Sequence, residues 1–139
     1  AFAHGISARN HFENSRKRYI TYHIDLMDWF SNFRAFNLVG GLNLLAKKLG
    51  LPGKFDLTGD KVYELYLAGR QHDINEYCVC DTLDTYFIFL RSRVMLGEIT
   101  LEQEDNIRKE ALDWLNQQAK NHPIINTWFS HWEKPPEFI

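Results

Sequence analysis

The feature that most constrains this chain is the run from His72 to Leu96, which holds no Pro or Gly and is flanked by Gly69 and Gly97. It reads as one long helix with a glycine stop. At about 100° per residue, Tyr77, Asp81, Asp84, Ile88 and Met95 share one band of its surface. Leu83, Phe87, Leu90 and Val94 form a second, apolar band, so the helix is apolar over much of its circumference and is expected to pack on two sides. Within it, Tyr77-Cys-Val-Cys-Asp81 puts a carboxylate where the periodicity calls for a core residue. Tyr77 and Asp81 are four apart and emerge from the same face. A buried carboxylate needs a partner, and a divalent metal is one of the few that satisfies it. The plainer alternative is an Asp81 capped by a neighbouring Arg or Lys, or turned outward like most helix charges.

The remaining segments read mainly as helices. Residues 26–33 predict a short helix, and residues 41–49 another, closed by Gly50 with Pro52 beyond. Thr58 reads as the N-cap of a helix to Ala68. Thr100-Leu-Glu-Gln103 is a capping box that opens a helix to about Asn121, and residues 124–132 suggest a last helical piece. Residues 19–26 alone alternate as a strand, with Ile20, Tyr22, Ile24 and Leu26 on one face. One strand cannot be a sheet, because its backbone groups need neighbours. It pairs either with another copy or with strands that are not in these residues.

Length and composition bound the class. The 139 residues suffice for one domain with a core. No apolar stretch is long enough to span a membrane, and none has the layout of a signal peptide. Cys78 and Cys80 point in different directions on a helix, so a mutual disulfide is not expected, and a reducing, cytoplasmic setting fits. The net charge of −2 hides an asymmetry. Residues 1–54 carry eight Lys/Arg against three Asp/Glu; residues 55–97 carry four against seven, and residues 98–139 four against eight. The basic third contains Arg16, Lys17, Arg18, Lys47, Lys48 and Lys54, a bias compatible with a polyanion partner or with a solvated surface.

Several chemistries lack their motifs. Gly40-Gly41 lacks the pattern of a phosphate loop, no Cys-x-x-Cys occurs, the six histidines are scattered, and there is no Gly-x-Ser-x-Gly elbow. Acidic residues are left to carry any catalysis.

Three stretches taken in order resemble one family: His23-Ile-Asp-Leu-Met-Asp28, Leu42-Asn-Leu-Leu-Ala-Lys-Lys-Leu-Gly-Leu-Pro-Gly-Lys54, and Glu76-Tyr-Cys-Val-Cys-Asp-Thr-Leu-Asp-Thr-Tyr86. The run from Arg91 to Thr100 continues them. Together, over roughly residues 1–102, they resemble the predicted 3′-5′ exonucleases related to the proofreading domain of family B DNA polymerases. That resemblance implies a ribonuclease H-like α/β fold, of which this chain is the mostly helical C-terminal half with the strand at 19–26. It also implies a single domain over 1–139, with 103–139 as a helical tail.

In such enzymes four acidic residues hold two Mg²⁺ or Mn²⁺ ions. The resemblance assigns Asp81 as one metal ligand and Tyr77 as the tyrosine that places the attacking water. Arg16, Lys17, Arg18 and Lys54 are the expected phosphate contacts on single-stranded or 3′-terminal nucleic acid. Trp29, Phe33 and Phe36 are candidates for base stacking, though such aromatics are more often core. Asp25 reads as a strand-end residue bonding local backbone, and Asp84 as a neighbour of the site or a salt-bridge partner. The chain departs from the family in having no Asp-x-Glu and no Asn…Phe-Asp motif before residue 20. The chain alone is therefore expected to be inactive, with the other acids in a missing N-terminal half. The competing readings are a non-catalytic helical nucleic-acid-binding module and an oligomerisation module.

Overall fold

The computed structural model describes residues 7, 9, 10, 13, 24–53 and 59–132. The chain divides into two compact units, Ala1–Leu38 and Val39–Ile139. The described residues are helical wherever they are regular, and contain no strand.

In the first unit, helix α1 spans Leu26–Phe30. The predicted strand is corrected at its end: Ile24 and Asp25 are irregular, and Leu26 opens the helix. Residues 19–23 lie outside the described residues. Asp25 takes the N-cap because its short carboxylate accepts from the Asp28 amide at 3.0 Å. The helix ends earlier than its pattern predicts, since Asn32, Phe33 and Arg34 all have positive φ (49°, 55° and 65°). Three consecutive non-glycine residues in that region are costly. Local bonds offset part of the strain: the Ser31 hydroxyl accepts from the Arg34 amide, and Arg34 Nε meets Asp28 Oδ1 at 3.0 Å.

The second unit is built around one helix. After α2 (Gly41–Lys48) come a 3-10 turn (Gly59–Lys61), α3 (Val62–Leu67), α4 (Gln71–Met95), α5 (Leu101–Gln118) and α6 (Pro123–Ser130). The helix expected after a Thr58 cap has a 3-10 first turn at Gly59–Lys61 and is α-helical from Val62 to Leu67; Thr58 lies outside the described residues. Helix α4 packs against α2, α3, α5 and α6, more neighbours than the two sides its bands suggested. It buries Ile74, Cys80, Phe87, Ile88 and Leu90, and each large apolar side chain taken out of water contributes about 1.5–3 kcal/mol.

The ends of these helices follow from their sequence. Helix α4 stops in a Schellman turn: Gly97 at φ 72° lets its own amide bond Val94 O and the Glu98 amide bond Arg93 O. Helix α5 opens in the predicted capping box, with Gln103 N on Thr100 Oγ1 at 3.1 Å and Thr100 N on Gln103 Oε1 at 2.8 Å. Between them, Arg91 on α4 places Nε 2.9 Å from both carboxylate oxygens of Glu104 on α5, and Glu104 is buried. The pair supplies the partner that a buried carboxylate requires. No helix among the described residues is long and apolar enough to cross a membrane.

Candidate active site on helix α4

Tyr77 and Asp81 stand one turn apart on α4 but in different surroundings. Tyr77 is half-buried, and it lines an open cleft of about 860 Å³. The cleft runs between α4 (Asp73, Glu76, Cys80), α3 (Glu64, Leu65) and α6 (Ile124, Thr127) with its C-cap His131. Lys61 and Arg70 bring cations to it, and Arg70 is paired with Asp73. Asp81 is exposed and does not line the cleft. This corrects the expectation that Asp81 fills a core position.

The buried carboxylate of this helix is Asp84. It accepts the indole N–H of Trp128 at 3.0 Å, and the Gly53 backbone amide also stabilises its charged form. Burial pushes its carboxyl up to about 6, with Asp81 adding to the rise, while the Trp128 and Gly53 hydrogen bonds and Lys47 oppose it. On its α2 side Gly53 leaves no room for a side chain: at φ 69°, a Cβ there would collide with Asn43 Oδ1 and meet Lys47 Cε at 3.0 Å. Leu51 and Pro52 beside it are fully buried. The run from Leu42 to Gly53 thus carries a helix, its glycine stop and a turn clasped between α2 and α4.

Cys80, one residue before Asp81, is buried. Its thiol is pushed up to about 12, first by burial and then by Asp84, Glu76 and Asp81. It stays protonated and is no nucleophile. Cys78 is exposed, and neither cysteine is in a disulfide.

Of the other residues singled out by sequence, Arg16, Lys17, Arg18 and Lys54 lie outside the described residues. Phe33 and Phe36 are exposed, at 40% and 54%, in the first unit. Sequence reasoning missed the partners of Asp84. The available signal was Trp128 itself, since a Trp in an apolar helix has an N–H that must find an acceptor once buried.

The sequence profile of the predicted 3′-5′ exonucleases related to the exonuclease domain of PolB matches residues 2–132. The chain belongs to this family. The match runs about thirty residues beyond the segments that carried the resemblance, so α5 and α6 are part of the family's pattern. For this exonuclease family member, the run Arg91–Thr100 has a structural account in the Glu104 pair, the Gly97 stop and the Thr100 cap. No curated protein and no solved structure matches the chain.

Proposed function

We propose that these residues form the Tyr-x-x-x-Asp part of a two-metal 3′-5′ exonuclease with a ribonuclease H-like α/β fold, acting on phosphodiester bonds at a 3′ end. The observation that carries the reading is the pairing, in a chain of this family, of a cleft-lining Tyr77 with a solvent-facing Asp81 one helical turn later. A metal ligand must reach beyond its own helix, and Asp81 is free to do so. A hard carboxylate oxygen suits Mg²⁺ or Mn²⁺.

One carboxylate does not make a two-metal site, and no group of three or more His, Cys, Asp or Glu among the described residues is arranged to hold an ion. Asp81 therefore fits as one ligand of a set completed by acids outside these residues, and the isolated chain is inactive. A strip of α4 beside Asp81 supports this. Asn75, Cys78, Val79, Thr82 and Tyr86 are exposed there without a charge among them, which suits a surface that another layer covers. The ions, when bound, would activate water and stabilise the leaving oxygen. Tyr77 would orient that water by its phenol oxygen, a role that needs a hydrogen-bonding group rather than a base. Arg16, Lys17, Arg18 and Lys54 hold the phosphates of a single-stranded or 3′-terminal strand. The free cysteines suit a reducing, cytoplasmic setting.

The test is the coding sequence upstream of Ala1, followed by kinetics. An Asp-x-Glu strand and an Asn…Phe-Asp motif encoded there support the reading, and Tyr77→Phe in that longer product should lower turnover about 10- to 100-fold while leaving the Mg²⁺ requirement unchanged. Absence of both acidic motifs, together with oligonucleotide binding that weakens with salt, would favour the non-catalytic nucleic-acid-binding module instead.

A further inference from the structure

Helix α6, with Ile124 and Thr127, and its C-cap His131 form one wall of the Tyr77 cleft. Trp128, which sits among those wall residues, turns inward and is fully buried. Its ring stacks on Phe87 of α4 with centroids 5.8 Å apart and planes at 16°. Stacking and apolar burial hold α6 against α4 but are tolerant of sliding along the ring plane. A hydrogen bond to one oxygen is directional and removes that freedom. Asp84 supplies it, at 3.0 Å, from the α4 band that also carries Tyr77 two turns earlier. The anchor has a second tie, a backbone hydrogen bond from Gly53 in the buried turn at Leu51–Gly53.

We infer that Asp84 is a positioning residue for the Tyr77 cleft: by holding the Trp128 indole it sets the α6 wall against Tyr77, and so sets the fit of a nucleotide between them. The inference rests on the exonuclease reading, in which the 3′-terminal nucleotide enters beside Tyr77. The cleft volume of about 860 Å³ suits such a ligand; Lys61 supplies a cation for its phosphate, while Arg70 is paired with Asp73 and the carboxylates of Glu64 and Glu76 also face the cleft. Asp84 touches no substrate; it acts through Trp128.

The test is calorimetric titration of thymidine 5′-monophosphate into the full 139-residue chain, with folding of every variant checked by circular dichroism. Asp84→Leu should weaken binding about tenfold. Trp128→Phe, which cuts the same tie from the other end, should weaken it by a similar factor, and the double variant should be no weaker than either single one. Asp84→Asn, whose amide oxygen still accepts from the indole, should restore near-normal affinity. A merely structural role would lower thermal stability and leave the affinity of folded protein unchanged. Where Asp84→Leu does not fold, Trp128→Phe with Asp84→Asn carries the test. Wild-type affinity in folded Asp84→Leu or Trp128→Phe, or losses that add in the double variant, would overturn the inference and leave the exonuclease reading standing. A wild-type chain that does not bind the nucleotide overturns the cleft as a nucleotide site, and Asp84's role with it.

Discussion

The indole of Trp128 and the carboxylate of Asp84, 44 residues apart in sequence, meet at 3.0 Å in the interior of the second unit. A donor-only ring and an acceptor-only carboxylate satisfy each other where neither could reach water. The bond ties the last described helix to the central one.

Removing the donor tests the tie energetically. Trp128→Phe keeps most of the apolar surface but withdraws a hydrogen bond to a charged group. It should destabilise the fold by about 1.5–3 kcal/mol, read as a lower urea midpoint at pH 7.5 with the slope unchanged.

The raised Asp84 pKa has a signed consequence. The folded chain holds a proton on Asp84 up to about pH 6, whereas the unfolded chain releases it near 3.8. Between those values the native state binds more protons, so this group's contribution to stability is fully present below about pH 4 and is lost as pH rises through 6. The loss amounts to about 3 kcal/mol. Asp84→Asn has no such titration. The stability difference between wild type and variant, measured by denaturant unfolding from pH 4 to 7, should therefore shift against the wild type as pH rises.

Arg91 and Glu104 form a second tie, with the carboxylate buried and the guanidinium partly exposed. Arg91→Met leaves the buried Glu104 carboxylate without its cation and should cost about 3–5 kcal/mol. Adding Glu104→Leu should recover much of that loss, because two apolar side chains replace the pair. Thermal unfolding of the wild type, both single variants and the double variant measures the coupling.

The capping box at Thr100 is a smaller local element. Thr100→Ala should destabilise by about 1 kcal/mol through frayed first-turn amides of α5, visible as faster hydrogen exchange there.

How much of this was legible in the sequence differs by scale. The long helix, the Gly50 and Gly97 stops and the Thr100 capping box are local effects of spacing and glycine geometry, and their bounds emerge within a residue or two. The inside–outside assignment of α4 failed at Asp81 because periodicity reports which residues share a band, not which side of that band is covered. Asp84 and Asp81 lie about 60° apart around the helix, and only the tertiary approach of Trp128 and Gly53 decides that the first is buried and the second exposed. The early end of α1 was illegible for a related reason: three left-handed residues at Asn32–Arg34 contradict their own propensities and are held by the Ser31 and Asp28 bonds. The likeness to the exonuclease family was readable from the ordered motifs around Asp25, Gly53 and Asp81. Its reach through α5 and α6 was not, because those helices carry packing residues rather than reacting ones.

The most direct measurement is Mg²⁺-dependent release of nucleoside 5′-monophosphates from a 3′-labelled oligonucleotide by the exonuclease completed with its remaining acids, comparing wild type with Asp81→Asn. The account predicts that Asp81→Asn abolishes release while circular dichroism and thermal unfolding stay at wild-type values, since that side chain is exposed and contributes nothing to the core. Wild-type rates in folded Asp81→Asn would contradict it.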